Sequence, residues 1–350
     1  MTAASNDVVG IRAGSVGEWL SQNIEGAKGP FTYELLAGGH SNLTYRVLGA
    51  DGTAFVLRRP PTGAVLASAH DMAREHKIIS GVGRTSVPVA RALGLCTDTE
   101  VNDAPFYVMD FVEGVVLDEA VKVDEHFPAG EQRLAIGSSV IEVMAALHTV
   151  DPDTCGLGDL GRRDAYLARQ LKRWRTQWES SKTRELPAMD EVADGLEAAM
   201  PEQVGAGIVH GDYRLGNLMV GRDARVAAVL DWELCTLGDV MADVGYIMNN
   251  WAQPGEPNLI TRGAAEPPTE AGGFQSREAF LDRYAELTGR DVSNVDYYRA
   301  FQYWRLAAIV EGVMSRYLKG VMGAEADIDT FRNQIDGLAQ TALELVRSWD

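Results

Sequence analysis

Cysteine is scarce in this sequence, and the cysteines that are present form no motif. Cys96, Cys155 and Cys235 are widely separated, and no Cys-x-x-Cys pair occurs. Small secreted domains that depend on disulfides carry an even and much denser set of cysteines. The sequence therefore excludes a disulfide scaffold, and we expect reduced, partly buried thiols of an intracellular protein.

Long apolar runs and positive charge are also in short supply. No run approaches the roughly 18 apolar residues that span a bilayer, and the first residues, MTAASNDVVG, lack the basic and apolar parts of a secretory signal. Lys and Arg number 32 against 50 Asp and Glu, which gives a net charge of −18. Because an acidic surface repels phosphate backbones, we expect no nucleic-acid or membrane partner. These features predict a cytoplasmic protein, in which a local cationic site can still hold ATP.

The first 114 residues have the pattern of a strand-rich region. Short runs of β-branched and aromatic residues are separated by glycine-containing turns, which is typical of antiparallel strands. The predicted strands are 33–36, 44–48, 54–58, 87–95 and 106–111. One helix is predicted over 68–80, with Gly81 placed to stop it.

After Gly114 the pattern changes to long helical periods, in which apolar residues recur every three or four positions. The predicted helices are 134–148, 166–178, 298–318 and 331–349, with short strands near 209, 218–219 and 226–230 and a long loop over 252–273. This layout predicts an α+β fold with two lobes. The expected division is a small nucleotide-binding lobe of residues 1–112 and a larger, mainly helical catalytic and substrate lobe of residues 113–350.

The stretch 208–233 carries the residues with the clearest chemistry. A His-Gly-Asp triplet ends at Asp212, Asn217 follows five residues later, and Asp231 comes after a predicted hairpin. Protein kinases use a His-Arg-Asp loop with an Asn and a later Asp-Phe-Gly, because phosphoryl transfer needs a carboxylate at the attacking hydroxyl and metal ligands beside it. Asp and Asn also favour turns, but the ordered set favours a phosphotransfer site. We expect His210 to pack against the loop rather than to transfer protons.

Candidates for nucleotide binding lie in the N-terminal part. Glycine-containing turns can cradle phosphates with backbone N–H groups, and a strand cation paired with a helix carboxylate can hold the α- and β-phosphates. A strand that ends where the pattern changes can offer backbone groups to an adenine edge. These features predict the nucleotide-binding residues Gly39, Ser41, Asn42, Arg58, Glu75, Met109, Asp110 and Phe111. Singly, each is as typical of a turn, a surface charge or a core strand, and it is their order that favours a site.

The motifs resemble those of the aminoglycoside phosphotransferase and choline kinase superfamily, a branch of the protein-kinase-like fold. The similarity lies in the segments 210–217 (HGDYRLGN), 230–233 (LDWE) and 238–243 (GDVMAD). The resemblance implies ATP and Mg²⁺ as cofactors and a hydroxyl of a small molecule as acceptor. It assigns the catalytic base to Asp212, the Mg²⁺ ligands to Asn217 and Asp231, and a bracing role to Asp243.

Within that superfamily, the chain is most similar to the kinase halves fused to some acyl-CoA dehydrogenases and to their free-standing bacterial relatives. Three segments carry this similarity: 56–61 (VLRRPP), 166–171 (YLARQL) and 306–309 (LAAI). The resemblance implies a substrate of the hydroxyacyl-CoA type, with Tyr213, Arg214, Glu233 and Trp251 as substrate-side candidates. Arg58 stands where most of the superfamily has Lys, and the different reach of Arg can change the phosphate geometry. Because the fused relatives also have this Arg, its presence does not indicate that catalytic activity has been lost.

Two other functions stay open at this point. An aminoglycoside kinase would suit the net charge of −18, since its substrate is a polycation, whereas the basic residues between 162 and 175 favour an anionic substrate such as a CoA ester. A non-catalytic nucleotide-binding module is the second alternative. The presence of Asp212, Asn217 and Asp231 together disfavours a non-catalytic module, since a site that is no longer catalytic tends to lose one of its residues.

Overall fold

The computed structural model describes residues 8–37, 42–62, 71–253, 255–256, 259–260, 265–321 and 327–349. The chain divides into two units. The first comprises Met1–Gly114, Asp153–Leu157 and Ala227–Leu234, and the second comprises Val115–Pro152, Gly158–Val226 and Cys235–Asp350. The division expected from the sequence lies between residues 112 and 113. It did not include the two later segments that belong to the first unit.

The first unit contains an antiparallel sheet of five strands in the order β1-β2-β3-β5-β4. The strands are β1 (Thr32–Ala37), β2 (Leu43–Leu48), β3 (Ala54–Arg59), β4 (Ala92–Cys96) and β5 (Phe106–Asp110). Four of them agree with the predicted strands, but β4 begins later than expected. Pro88 lies in the part of the predicted strand that is not a strand, and a proline has no N–H for a ladder hydrogen bond.

Three helices accompany this sheet: α1 (Ala13–Asn23), α2 (Met72–Val82) and α3 (Thr99–Asn102). Asp71 caps the start of helix α2, and its side chain accepts the N–H of Arg74 at 2.9 Å. Gly81 does not stop the helix as predicted, but lies inside it. A Cβ at Gly81 would come within 2.7 Å of Leu157, so the glycine permits close packing on the segment 153–157. The core beneath the sheet includes Leu20 of α1, which is fully buried.

The second unit is mainly helical. Its helices are α4 (Ala120–His126), α5 (Gly130–Thr149), α6 (Tyr166–Ser181), α7 (Pro187–Ala198), α8 (Met241–Asn250), α9 (Arg277–Thr288), α10 (Val295–Leu318) and α11 (Ile328–Arg347). The four predicted helices correspond to α5, α6, α10 and α11. Helix α10 packs against α6, α8 and α11 and carries buried side chains along its length. No helix in the part of the chain that the structure describes is long and apolar enough to cross a membrane.

Short strands hold the loops of the second unit. Strand β6 (Val115–Val116) pairs with β8 (Leu218–Val220), and β7 (Gly207–Val209) pairs with β10 (Thr236–Gly238), both antiparallel. Strand β9 (Val226–Val229) leads into the segment 227–234 of the first unit. Strand β7 ends immediately before the His-Gly-Asp triplet, and α8 begins shortly after β10. This pairing brings the loop after β7 next to the N-terminal end of α8.

Candidate active site

Asp212 lies in the loop that follows β7, and Asp243 of α8 holds the backbone of this loop. The N–H groups of His210 and Gly211 donate to the Asp243 carboxylate at 2.6 and 2.8 Å. Gly211 has a φ of +86°, a left-handed conformation that residues with a side chain rarely adopt. The loop therefore needs both the glycine and the carboxylate to take this shape.

Asp243 is itself buried against a second buried group. His148 Nε2 lies 3.3 Å from Asp243 Oδ2, and His148 Nδ1 lies 2.8 Å from the hydroxyl of Tyr284. Burial alone would raise the pKa of Asp243, but the His148 contact and the loop N–H group of Gly211 lower this pKa below its ordinary value. Burial lowers the pKa of His148. At neutral pH, Asp243 is therefore an anion and His148 a neutral ring.

The Asp212 carboxylate receives hydrogen bonds from two sides. Asn217 Nδ2 donates to Asp212 Oδ2 at 2.6 Å and to the Asp212 backbone carbonyl at 2.8 Å. The Tyr246 hydroxyl donates to Asp212 Oδ1, and Arg214 Nε lies 3.4 Å from the same oxygen. These donors fix the orientation of the carboxylate, which is what a group that aligns a hydroxyl requires.

Asn217 reaches Asp212 because a 3₁₀ turn over Leu215–Asn217 brings it back toward the loop. A Cβ at Gly216 in this turn would meet only the movable end of the Arg214 side chain and would lie in ordinary contact, at 3.5 Å, with the Asp118 Cβ. His210 is fully buried and faces Tyr213 edge-on, with 5.9 Å between the ring centroids. Asp212 N–H donates to His210 Nδ1 at 3.2 Å, a contact that suits the packing role predicted for this histidine.

A pocket of about 310 Å³ lies in the second unit and shares two residues with the surroundings of Asp212. Arg214 and Tyr246 line the pocket and also contact the Asp212 carboxylate. Its apolar lining consists of Leu215, Ala252, Leu259, Ile260, Pro267, Pro268 and Leu306. Asp212 itself is not among the lining residues, so its link to the pocket runs through Arg214 and Tyr246.

The acidic residues that line this pocket are already paired. Arg277 Nη1 and Nη2 contact the two carboxylate oxygens of Glu256, each at 2.5 Å. Asp118 Oδ1 lies 2.7 Å from Lys122 Nζ. The charged lining of two acids, Arg277 and Arg214 is thus balanced rather than acidic.

The first unit contains a separate cluster of charged residues around Arg58. Arg58 Nε, on β3, lies 3.0 Å from Glu75 Oε2, on α2, so the ion pair expected from the sequence is present. Asn42 Nδ2 donates to Glu75 Oε1 at 2.8 Å, and the Tyr107 hydroxyl donates to Glu75 Oε2 at 3.1 Å. Glu75 is 2% exposed, so these donors are what compensate its burial.

Arg58 also contacts the segment that follows β9. Its Nη2 lies 2.7 Å from Asp231 Oδ1 and 3.9 Å from Glu233 Oε2. Asp231 has a φ of +61°, a left-handed conformation that Asp and Asn adopt more readily than other residues with side chains. The residue type is thus compatible with the backbone as well as with the cation. Glu233, expected on the substrate side, instead faces Arg58.

The acidic neighbours and the burial of this cluster shift its pKa values. Burial would lower the pKa of Arg58, but the neighbouring Tyr107, Glu75 and Asp231 raise it above the ordinary value. Burial raises the pKa of Glu75, and Arg58 opposes that change. Arg58 is therefore a permanent cation that faces three acidic side chains.

The remaining nucleotide-binding candidates are located at the end of β5 or outside the described residues. Gly39 and Ser41 belong to the latter group. Asp110 contacts Arg91, with Nε 3.0 Å from Oδ2, and the Arg46 guanidinium lies 4.7 Å from the ring centroid of Phe111. Met109 pairs with Val56 of β3 in the sheet. The adenine contact expected of these backbone groups stays a prediction.

Two of the substrate-side candidates have side chains that lie in the core. Tyr213 is fully buried, and its hydroxyl donates to the Val140 carbonyl at 2.9 Å. Trp251 is 1% exposed, donates to the Gln275 carbonyl at 2.8 Å, and packs edge-on against Phe280. Both residues lie close in sequence to positions with predicted chemical roles, but both side chains are buried in the core.

The sequence did not indicate Tyr246, which contacts the Asp212 carboxylate, or Tyr107, which contacts the Glu75 carboxylate. Tyr246 lies three residues after Asp243, so the two share a face of α8. Tyr107 is the β5 partner of Arg58 in the sheet register. Helical spacing could have indicated Tyr246, whereas the partner of Arg58 depended on a strand order that the sequence does not show.

The two side chains predicted as Mg²⁺ ligands can each be considered for the oxygen donor that they carry. Among the described residues, no cluster of three or more His, Cys, Asp or Glu side chains is arranged to hold a metal ion. Mg²⁺ in phosphotransfer sites is usually held by one or two side chains together with substrate phosphates and water. Asn217, in the second unit, and Asp231, in the first unit, each carry a hard oxygen of the kind that Mg²⁺ prefers, and the Asn217 amide nitrogen is directed to Asp212.

The comparison with known proteins decides the family. A family model described as the phosphotransferase enzyme family, APH, matches residues 32–280. The chain belongs to this family. The predicted α+β protein-kinase-like fold is confirmed.

Individual relatives are consistent with this membership. The chain is 34% identical to acyl-CoA dehydrogenase family member 10 of Mus musculus over 83% of its own length and 27% of that protein. A solved structure from Ralstonia eutropha JMP134, described as a candidate aminoglycoside phosphotransferase, is 34% identical with a TM-score of 0.81 and covers 95% of this chain and 98% of that one. A thermostable mutant of aminoglycoside phosphotransferase APH(4)-Ia, solved with AMP-PNP and hygromycin B, shares the fold at 17% identity, with a TM-score of 0.59 over 96% of this chain and 99% of that one. The chain spans between about a quarter and about two-fifths of the curated relatives that it matches, at 27% and 43%.

Proposed function

We propose that this phosphotransferase moves the γ-phosphoryl group of ATP, with Mg²⁺, to a hydroxyl of a small molecule of the hydroxyacyl-CoA type. The observation that carries the proposal is the Asp212 carboxylate, which is held by Asn217 and Tyr246 beside a pocket of about 310 Å³. A carboxylate so placed can accept the proton of an acceptor hydroxyl that enters the pocket.

The reaction follows from the groups in that arrangement. The acceptor hydroxyl oxygen forms a bond to the γ-phosphorus while the bond from that phosphorus to the β-bridging oxygen breaks and ADP leaves. The hydroxyl proton goes to Asp212. Alignment by Asp212 accounts for most of its effect, because phosphoryl transfer depends mainly on positioning and electrostatic stabilisation.

Four of the predicted residues, Arg58, Glu75, Asn217 and Asp231, have proposed roles toward ATP and Mg²⁺. Arg58, with Glu75 as its partner, would face the α- and β-phosphates of ATP, and Asn42 would support Glu75. Asn217 and Asp231 would ligate Mg²⁺, which offsets phosphate charge when bound. The end of β5 would contact the adenine. A cytoplasmic location, with its supply of ATP, stays a prediction.

The proposed acceptor class rests on pocket chemistry and on the curated relatives. The acids of the pocket are ion-paired, so it offers a polycation no surplus of negative charge, and much of the lining is apolar. A volume of about 310 Å³ suits a short hydroxyacyl group better than a whole CoA, whose nucleotide portion would stay outside the pocket.

The basic residues of α6 do not strengthen this assignment. Arg175 is ion-paired with Asp194 at 2.5 Å and with Glu197 at 3.1 Å, and Arg169 donates to the Arg162 carbonyl at 2.7 Å. Part of the basic stretch is therefore explained by surface pairing within the second unit. The pocket, rather than this helix, is the reason to expect a neutral or anionic acceptor.

The test is a turnover screen with ATP and Mg²⁺. Short-chain hydroxyacyl-CoA thioesters, hygromycin B and choline are compared as acceptors, and ADP formation and the phosphorylated product are both measured. We expect acceptor-dependent ADP formation with the thioesters and not with the two cations. Turnover with hygromycin B would move the assignment to an aminoglycoside kinase, and ATP binding without turnover on any acceptor would favour a non-catalytic module.

A further inference from the structure

Helix α8 contacts the catalytic loop and the pocket at successive turns. Asp243, in its first turn, accepts the N–H groups of the loop residues 210 and 211. Tyr246, three residues on, donates to the Asp212 side chain, and Asn249 and Asn250, about one turn later, line the pocket. Residues three or four apart share a helix face, so one face of α8 contacts first the backbone, then the carboxylate, then the pocket.

Tyr246 is the member of this series that touches the predicted base. Its hydroxyl is partly buried where it contacts Asp212, and burial followed by the charge of Asp212 raises the pKa of Tyr246. The phenol therefore stays protonated and donates to Asp212 Oδ1 across the accessible pH range. Arg214 reaches the same oxygen, but at 3.4 Å and with a side chain that is 37% exposed, so it is a longer and less fixed contact.

We propose that Tyr246 is a positioning residue for phosphoryl transfer. Its hydroxyl holds Asp212 Oδ1 while Asn217 holds Oδ2, and the two bonds together select one orientation of the carboxylate. Because Tyr246 also lines the pocket, the same phenol sets where the acceptor hydroxyl meets the base. This inference rests on the proposed function, since Asp212 is taken as the base.

A double-mutant cycle tests whether Tyr246 acts through Asp212. Phosphoryl transfer from ATP is measured for the parent, Tyr246→Phe, Asp212→Ala and the double variant, with Mg²⁺ and with water or a short-chain hydroxyacyl-CoA thioester as acceptor. We expect Tyr246→Phe to lower kcat by about 10- to 100-fold, the effect of a small misplacement of a reacting group, and to leave KM for ATP within about twofold. In the Asp212→Ala background the same change should cost less than about threefold, since there is no carboxylate left to position.

Tyr297→Phe is the matched control. Tyr297 is a buried tyrosine of the second unit, and its hydroxyl donates to the Leu196 carbonyl at 2.9 Å. It does not line the pocket. This variant should keep the kcat of the parent, so a loss specific to Tyr246→Phe reflects the contact with Asp212 rather than the loss of a buried hydroxyl.

The result that overturns the inference is a Tyr246→Phe variant with parental kcat, or one whose loss is the same with and without the Asp212 carboxylate. A crystal structure of Tyr246→Phe provides a readout that does not depend on turnover. We expect the Asp212 side chain to leave its orientation or to occupy several, and an unchanged side chain would contradict the inference. If the parent itself transfers phosphate to no acceptor, the proposed function fails, and the crystal structure still decides whether Tyr246 orients Asp212.

Discussion

Arg58 Nη2 lies 2.7 Å from Asp231 Oδ1, although the two residues are 173 positions apart in the chain. The same guanidinium contacts Glu75 through Nε at 3.0 Å. The strand β3, the helix α2 and the segment after β9 therefore meet at one cation within the first unit. The residue expected to hold Mg²⁺ and the residue expected to hold phosphates therefore form an ion pair with each other.

This contact predicts the effect of removing the charge of Asp231. Asp231→Asn should weaken ATP binding in the presence of Mg²⁺ by about tenfold or more, because a contact to a charged group is worth roughly 1.5 kcal/mol or more. ATP without Mg²⁺ should bind at least as well as to the parent, since Arg58 then has one carboxylate fewer nearby. Calorimetric titration with and without Mg²⁺ measures both affinities.

Asp103→Asn provides the control for that variant. Asp103 also has a left-handed backbone, with φ of +56°, and it is ion-paired with Arg12 at the surface. This variant should keep the affinity of the parent under both conditions. If Asp231→Asn behaves in the same way, Asp231 is a structural partner of Arg58 and not a metal ligand.

A second prediction concerns the burial of Glu75. Arg58→Met should lower the free energy of unfolding by about 3 kcal/mol or more, because removing one partner of a buried pair leaves the other charge uncompensated. Adding Glu75→Gln should recover part of this loss, since the remaining Asn42 and Tyr107 contacts then surround a neutral group. Urea unfolding of the two variants and the parent measures the difference.

An exposed ion pair at the β4–β5 side of the same sheet is the reference for this effect. Arg91 and Asp110 form a salt bridge with side chains 75% and 39% exposed, and such pairs contribute about 0–1 kcal/mol. Arg91→Met should therefore change stability little. A similar small loss for Arg58→Met would mean that Glu75 is not held as a charged group.

The sequence was sufficient where local pattern and chemistry coincide. The strands before and after Asp51-Gly52 and the long helix α10 follow directly from their periodicities. The pairing of Arg58 with Glu75 was also predictable, because a family pattern supplied the long-range partner. These are features in which the residue type and the local backbone lead to the same answer.

The sequence was insufficient where packing decides. Helix α1 contains Gly14 and Gly17, which disfavour a helix, and it forms because Val16 and Leu20 are buried in the sheet core. A tryptophan at position 251 is compatible with a pocket lining and with a core. Only the contacts of Trp251 with Phe280 and Gln275 distinguish the two. Tertiary contacts of this kind leave no local signal.

A third prediction concerns pH and the buried pair below the catalytic loop. The pKa of His148 in the folded protein is lowered by burial from its ordinary value near 6.5. Between that value and the lower folded pKa, the unfolded chain binds a proton that the folded chain does not, so stability falls as the pH falls. The slope from this group is at most about 1.4 kcal/mol per pH unit. The contribution of Asp243 to stability also decreases as the pH falls. It is lost only below about pH 4, as the pH falls through the lowered pKa of Asp243.

Urea unfolding at pH 8, 7, 6 and 5 measures this dependence. His148→Gln should be less stable than the parent at pH 8, because Asp243 and Tyr284 lose a buried partner, and its stability should fall less steeply below pH 6.5. The exposed His126 is the control, and His126→Gln should retain the slope of the parent. An equally steep fall in His148→Gln would assign the acid sensitivity to other groups.

The last prediction concerns the base itself. Asp212→Ala should leave ATP affinity nearly intact and lower turnover by roughly 10²- to 10⁴-fold, the range for losing a positioned general base. The upper end is expected, because Asn217 and Tyr246 hold a carboxylate whose alignment and proton acceptance are lost together. Steady-state transfer and calorimetric ATP titration are compared with Asp223→Ala, which removes a turn aspartate of the same unit whose Oδ1 accepts the Arg225 N–H at 3.3 Å. Turnover within a few-fold of the parent would remove Asp212 as the base, and a collapse of ATP binding in a folded variant would assign it to the nucleotide instead.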